Sequence, residues 1–396
     1  MSETAAQPQA HSRGPIELAL RSAIRTPLTR LSLAFLGLVA VLAVFAPVLA
    51  NSRPILLKID NVWTSPLLSG LQWADVLVFA TAIAIVVSWR LPRWGGLSKV
   101  VFVGVMMLVT GVASFITLGD RSQRTIVFSE YREAELAGRV QWVLRTPIPF
   151  SPTDYQRDTF DKDDPHPRSP RVGNWLGTER NGGDIASRMI HACRIALAVG
   201  FIAEGVALLI GVSVGGLMGY FGGVFDLLGM RLVEIFSAIP QLYLLLTFVA
   251  FFDRNLYLIM FIIGLTSWPG YAVFTRAEFL RLRNQDFVHA AVASGLPTTR
   301  IVFRHMLPNA LAPILVSASF GVASAILAES SLSFLGVGLV DEPSWGQLLN
   351  QALGESRFYW WLGVFPGAAI FMTVLSYNFI GESLRDALDP RLQKRE

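Results

Sequence analysis

Long apolar runs, each about the length of a bilayer crossing, alternate with short charged segments along this chain. A hydrocarbon core about 30 Å thick takes roughly 20 mostly apolar residues in a helix. The pattern reaches that length eight times, at Leu31–Leu49, Leu71–Trp89, Val100–Leu118, Ile195–Met218, Met230–Phe252, Leu256–Phe274, Leu311–Leu335 and Trp360–Ile380. Asp75 lies near the start of the second run. Pro240 sits inside the fifth and Pro269-Gly270 inside the sixth. Such breaks are tolerated in lipid where neighbouring helices satisfy the freed backbone groups. The expectation is an all-α, polytopic membrane protein of about eight transmembrane helices, with no internal repeat and no heptad pattern.

Composition supports this. Hydrophobic residues make up 53% and charged residues 16% of the chain, against roughly a quarter charged in a soluble domain. The net charge of +4 does not point to nucleic acid, because the arginines gather at the ends of apolar runs, where they set membrane orientation. With the N-terminus inside, the inner loops and ends receive Arg13, Arg21, Arg25, Arg30, Arg90, Arg93, Lys99, Arg231 and Arg276. They also receive Arg281, Arg283, Arg300, Arg304, Arg385, Arg391, Lys394 and Arg395. The short outer loops hold only Arg53, Lys58, Arg254 and Arg357. An even number of spans then places both termini inside. The first run exceeds a secretory h-region of roughly 7–15 residues and reads as a retained anchor, preceded by a polar segment at residues 1–13.

Two connections are long. The one at 119–194 is polar and proline-rich, and falls outside. The other, at 276–310, falls inside and reads as helical through AEFLRLRNQDFVHAAVASG. Within it, Asp286 to Ser294 forms a short helix in which Ala290 and Ala291 offer small side chains to a partner. Gly295 ends that helix, since left-handed geometry is cheap only for glycine. A second short helix is expected near Thr298-Thr299 with threonine as its N-cap, and Pro308 turns the chain back towards the bilayer.

Other polar groups suit packing better than chemistry. Gly211, Gly215, Gly219 and Gly223 recur every fourth residue, a stripe for close helix approach. Glu204, Glu234 and Glu329 lie in or near spans, where carboxylates face a bundle interior or a wet cavity. No phosphate-binding G-x-x-x-x-G-K-[ST] loop is present, so the chain is not itself an ATPase. The five histidines and the single Cys193 have no metal-ligand spacing. No G-x-S-x-G elbow occurs. No catalytic residue, metal or cofactor is expected.

The stretch HAAVASGLPTTRIVFRHMLPN resembles the EAA loop of ABC-importer permeases, whose pattern is E-A-A-x3-G-x9-I-x-L-P. Ala290, Ala291, Gly295, Leu307 and Pro308 match it, while His289 replaces Glu and His305 replaces Ile. Asn174-Trp175-Leu176-Gly177-Thr178, continuing through Gly182-Gly183-Asp184 to Ser187-Arg188 and Arg194, resembles the L-G-T-D-x-x-G-R-D-x-x-S-R signature of the dipeptide/oligopeptide (Dpp/Opp) branch. Glu179 and Gly183 are its departures. The GYFGG stretch from Gly219, the segment 336–346 and the ending Gly381 to Pro390 resemble that branch as well. NWLGT, RAEFLRLRN and RHMLPNA are similar to its Yej-type members, which carry oligopeptides and microcin C.

The resemblance covers about residues 172–390 and the first span. It implies a type I importer permease core; residues 71–119 depart from the family's usual six spans, adding two extra spans as an inserted hairpin. The implied organisation is a cytoplasmic segment 1–30, a membrane region 31–118, a periplasmic loop 119–194, a permease domain 195–382 and a cytoplasmic tail 383–396. It implies that His289, Ala290, Ala291, Gly295, Leu307 and Pro308 form the ATPase-coupling loop. Implied partners are a second permease, two ATPase subunits, a periplasmic peptide-binding protein and the inner-membrane bilayer. An ion-coupled secondary transporter is the alternative; it would make the membrane carboxylates central and has no use for such a loop.

Overall fold

The structure is a computed structural model that describes residues 26–90, 95–119, 129–156, 158, 166–252, 255–338, 342–353 and 359–388. The expected N-terminal segment 1–13, the tail from 389, the loop cations Arg93, Arg254 and Arg357, and residues 339–341 lie outside them.

Helices dominate. In chain order they are α1 (Pro27–Leu49), α2 (Pro66–Ser69), α3 (Trp73–Arg90), α4 (Gly96–Leu118), α5 (Glu130–Leu136), α6 (Ile185–Phe221), α7 (Gly223–Ala238) and α8 (Gln241–Phe251). Then follow α9 (Leu256–Arg283), α10 (Asp286–Ala293), α11 (Thr298–Arg300), α12 (Leu307–Phe334), α13 (Trp345–Leu353) and α14 (Trp360–Leu388). A six-residue π-helical segment, Ile301–Met306, joins α11 to α12. Three strands, β1 (Leu56–Ile59), β2 (Val62–Thr64) and β3 (Val140–Leu144), form one antiparallel sheet in the order β2-β1-β3.

Seven helices among the described residues are long and apolar enough to cross a membrane. The fifth expected span differs from a simple crossing. At Pro240 the chain leaves helical geometry, and α7 and α8 meet at a bend of 78°, an eighth span only if the pair counts as one. Proline has no N–H to give and its ring clashes with the preceding turn, so the break falls there. Three spans outrun the apolar runs that announced them: α6 starts ten residues before Ile195, α9 continues past Phe274 to Arg283, and α14 continues past Ile380 to Leu388. Polar side chains inside spans satisfy themselves on the preceding turn. Thr81, Thr110, Ser213 and Thr247 donate to the carbonyls of Leu77, Met106, Leu209 and Tyr243, the usual accommodation of hydroxyls in a helix without water.

The described chain divides into two compact units. The first comprises the chain up to Leu36, residues 198–329 and those from Ile370 onward. Its centre is the α6–α9 contact made by the glycine stripe. A Cβ on Gly219 would stand 2.6 Å from the Phe279 Cβ and 2.7 Å from the Arg276 carbonyl oxygen; one on Gly215 would stand 2.8 Å from the Thr275 Cβ. Gly211 faces Tyr271 and the Trp268 carbonyl in the same way. The stripe is therefore packing, as expected. Gly223 departs from it, opening α7 with φ +54° and open space around it.

The second unit comprises residues 37–197 and 330–369. Its helices α3 and α4 pack together as a hairpin within residues 71–119, and Asp75 has a purpose there. Its carboxylate accepts the N–H of Gln72 and pairs with Arg194 of α6 at 2.6 Å. The signature between Asn174 and Arg188 folds as a buried polar network. Asp184 caps α6, accepting the Ser187 N–H at 2.8 Å, and takes the Asn174 amide on its other oxygen. Arg188 pairs with Glu179 at 2.6 Å and donates to Gln347 at 2.9 Å. Burial holds the Asp184 carboxyl above its ordinary range, while the bonds from Asn174 and the backbone pull it down. Asp184→Ala is expected to lose the cap, about 1 kcal/mol, and to strand the Asn174 amide. Asp184→Asn, itself a good cap, should lose less. Thermal unfolding of the two variants in detergent measures the difference.

Candidate functional site

The candidate site is the segment between α9 and α12, wholly within the first unit. Its base is a small hydrophobic core. Phe279 and Leu282 from the end of α9, Val288 and Ala291 from α10, Ile301 and Met306 from the π segment, and Ala310 and Ile314 from α12 are all buried together. Val288 and Ala291 are three residues apart, hence on one face of a helix. That periodicity corrects one expectation: Ala291, only 7% exposed, faces inward, while His289, Ala290, Val292 and Ala293 form the bare face.

Gly295 behaves as expected. Its φ is +72°, and the cap is complete. The Gly295 N–H donates to the Val292 carbonyl at 2.9 Å and the Leu296 N–H to the Ala291 carbonyl at 3.2 Å. This is the Schellman pattern, which accounts for carbonyls that a helix end otherwise leaves open. Leu296 packs on the core. A Cβ on Gly295 would meet nothing within 4 Å, so only backbone strain opposes replacement.

Two other expectations are corrected. No threonine caps the second helix. Pro297, extended at φ −65° and ψ 146°, occupies the N-cap of α11, and Thr298 is already helical. Proline suits this position because it needs no N–H partner and its φ is preset. Nor does Pro308 turn the chain. It lies in the first turn of α12, immediately after the π segment, and helical backbone continues from Thr298 to Phe334. A proline inside an α-helix leaves a carbonyl four residues back without a donor. Widened i→i+5 bonding before Pro308 relaxes the clash, and the Asn309 side-chain amide donates to the His305 carbonyl at 2.6 Å. Leu307 is half-buried against the core and His305 half-buried.

Sequence reasoning missed an ion pair on α9 just ahead of this segment. Asp226, in the first turn of α7, forms a two-point ion pair with Arg276 of α9, three residues before the core residue Phe279. The motif's consensus positions carried no sign of this, but the apolar spacing Phe279, Leu282, Val288, Ala291 could have revealed the core. Of the membrane carboxylates, Glu234 is an exposed partner of Arg231 on α7. Glu204 is buried, with one oxygen beside the Tyr271 hydroxyl and the other without a hydrogen-bond partner. Glu329 is also buried. Among the described residues no group of histidine, cysteine or carboxylate side chains could hold a metal ion.

Comparison with known proteins gives the family. The family described as Binding-protein-dependent transport system inner membrane component matches residues 211–394. The chain is 33% identical over 355 residues to the inner membrane ABC transporter permease protein YejE of Escherichia coli, covering 88% of this chain and 89% of the relative. It is 40% identical over 220 residues to the oligopeptide transport system permease protein OppC of Haemophilus influenzae, covering 55% and 70%. It is also 40% identical over 220 residues to the peptidoglycan transport system permease protein YejE of Agrobacterium fabrum, covering 55% and 57%. A likeness to YejE over 88% of a chain with seven or eight crossings makes this protein a multi-pass member of the binding-protein-dependent inner membrane permeases of ABC importers, of the Dpp/Opp type.

Proposed function

We propose that this permease carries peptides inward, forming half of a translocation path with a second permease, powered by two ATPase subunits and loaded by a periplasmic peptide-binding protein. The observation that carries the proposal is the form of the α10 segment. It is a short helix closed by a glycine cap and seated on its own core, with His289, Ala290, Val292 and the nearby Phe303 exposed. A stiff helix with a bare, small-residue face suits the groove of a separate subunit and transmits that subunit's movement to α9 and α12 as a rigid body. Relatives named for oligopeptide and for peptidoglycan transport support this reading of the cargo.

The test is reconstitution with the companion subunits in proteoliposomes. ATP-dependent uptake of a labelled oligopeptide, and ATP hydrolysis stimulated by the loaded binding protein, are expected. The buried Glu204, with one oxygen unpartnered, favours the ion-coupled alternative. Under the proposal Glu204→Gln retains uptake. Uptake driven by an ion gradient without ATP, and lost in Glu204→Gln, overturns it.

Both termini are proposed to be cytoplasmic, with α10 on that side and residues 129–184 periplasmic. In a Cys193→Ser background, Val172→Cys, at a site 98% exposed, should react with an impermeant thiol reagent in intact spheroplasts. Ser98→Cys, also exposed, should react only after lysis. Equal labelling before lysis refutes the orientation.

A further inference from the structure

One face of the three-stranded sheet is packed around Leu57, and the other is bare. Side chains alternate across a strand, and the register aligns Lys58 with Trp63 on one side and Trp142 on the other. Two residues along, Leu56 pairs with Leu144 on that same face. Trp63 is 58% and Trp142 45% exposed, and Leu56 and Leu144 are exposed beside them. The two indole rings lie 5.4 Å apart, and the Lys58 ammonium is 6.0 Å from the Trp63 ring. On the opposite face Leu57 is buried and lines a cleft with Tyr131 and Ala134 of α5. A bare face of two tryptophans and two leucines is costly in water.

The sheet is also held at the end of a membrane span. The Ile148 N–H donates to the Leu49 carbonyl in the last turn of α1 at 3.0 Å, and the Asn51 N–H to the Ile148 carbonyl at 3.1 Å. Leu144 is thus four residues from a point bonded to the span's end, at most about 14 Å of extended chain. The β1–β2 hairpin is tied on both sides as well, by residues 50–55 to α1 and by residues 65–72 to α3. At that end of the α3–α4 hairpin another aromatic pair, Trp73 and Phe115, stands 5.8 Å apart.

We propose that the bare face of this sheet lies in the phospholipid headgroup layer, with Trp63 and Trp142 as anchors and the Lys58 ammonium bound to lipid phosphate. Indole rings concentrate at the membrane–water boundary because one edge is polar and the body apolar. A lysine between them buries its stem and keeps its charge among the phosphates. Lys58 is the sole charged residue in the three strands, and the exposed Asp60 lies in the turn between β1 and β2. Continuity with the spans favours lipid over a soluble partner, because the sheet's attachment to α1 already places it at the boundary. The sheet then grips the leaflet beside the Leu49 end of α1.

The test uses the assembled transporter in nanodiscs, in a Cys193→Ser background, with nitroxide labels at Leu56→Cys or Leu144→Cys and a control label at Val172→Cys. Collision with oxygen and with a water-soluble nickel chelate reports depth. The labels at 56 and 144 should be shielded from the chelate and exposed to oxygen, while the label at 172 remains open to water. Adding Trp63→Gln and Trp142→Gln should release both labels into water. Lys58→Glu should weaken the shielding about fivefold in discs containing anionic phospholipid, and little in neutral ones. Labels as open to the chelate as the one at 172 overturn the proposal. So does shielding that appears only when the peptide-binding protein is added, which would make this face a protein docking site.

Discussion

Ala291→Asp should uncouple the transporter, while Ala290→Asp should weaken it by a different route. Ala291 lies on the underside of α10, in one core with Val288, Phe279 and Met306. A carboxylate there has no partner in that core, and an unpaired buried charge costs several kcal/mol. The inexpensive escape is for α10 to lift off its seat, which exposes the core and removes the rigid connection to α9 and α12. Membrane insertion should remain intact, because none of the spans is altered. Ala290 is on the bare face, so Ala290→Asp leaves the seat undisturbed and adds a charge only where a partner would dock. Two readouts separate the cases. Ala291→Asp should raise proteolytic sensitivity of the α9–α12 connection in the isolated permease, whereas Ala290→Asp should not. Both should lose ATPase co-purification or peptide-stimulated hydrolysis by at least tenfold. If Ala291→Asp keeps full stimulated hydrolysis and uptake, the segment is not the coupling element.

Gly215→Leu should abolish assembly altogether. At this position α6 and α9 touch through backbone, facing the Ala272 carbonyl and the Thr275 Cβ. Any side chain forces the two helices apart along the stripe, disturbing the contacts at Gly211 and Gly219 on the turns above and below. Overpacking a close contact costs about 1–3 kcal/mol for a few methylenes where neighbours can move. Here the obstacle is main chain on a long helix, so the cost lies at the top of that range or beyond. Gly216→Ala is the control, since its Cβ would meet only the Phe279 ring at an ordinary 3.4 Å. The expected result is loss of detergent-stable complex and rapid degradation for Gly215→Leu, with near-normal levels for Gly216→Ala. Normal assembly of Gly215→Leu would show that the stripe is not the contact that holds the bundle.

The apolar runs alone determined the all-helical, membrane-crossing class, because a segment in lipid must satisfy every backbone group within itself. The four-residue glycine interval determined that Gly211, Gly215 and Gly219 pack, since it returns to one side of a helix while the helix lasts, but not that α6 ends before Gly223; the glycine after the HAA helix marked the end of α10. What the apolar runs could not determine is where helices stop. Residues 185–194, 275–283 and 381–388 are too polar to read as spans, yet they continue α6, α9 and α14. Once a helix is propagating, each further residue adds a hydrogen bond at little extra ordering cost.

Only the tertiary structure decided which alanine of the HAA motif is offered and which is hidden. That depends on the core beneath α10, to which α9, the π segment and α12 contribute residues distant in sequence. It likewise decided that Pro308 sits inside a continuous helix, through π-helical backbone that no local pattern announces, and that Asp75 is paired, through an arginine 119 positions away. Periodicity is a property of one helix and is legible in one dimension. The partner that makes a face inward or outward lies on another helix, and only folding brings it there.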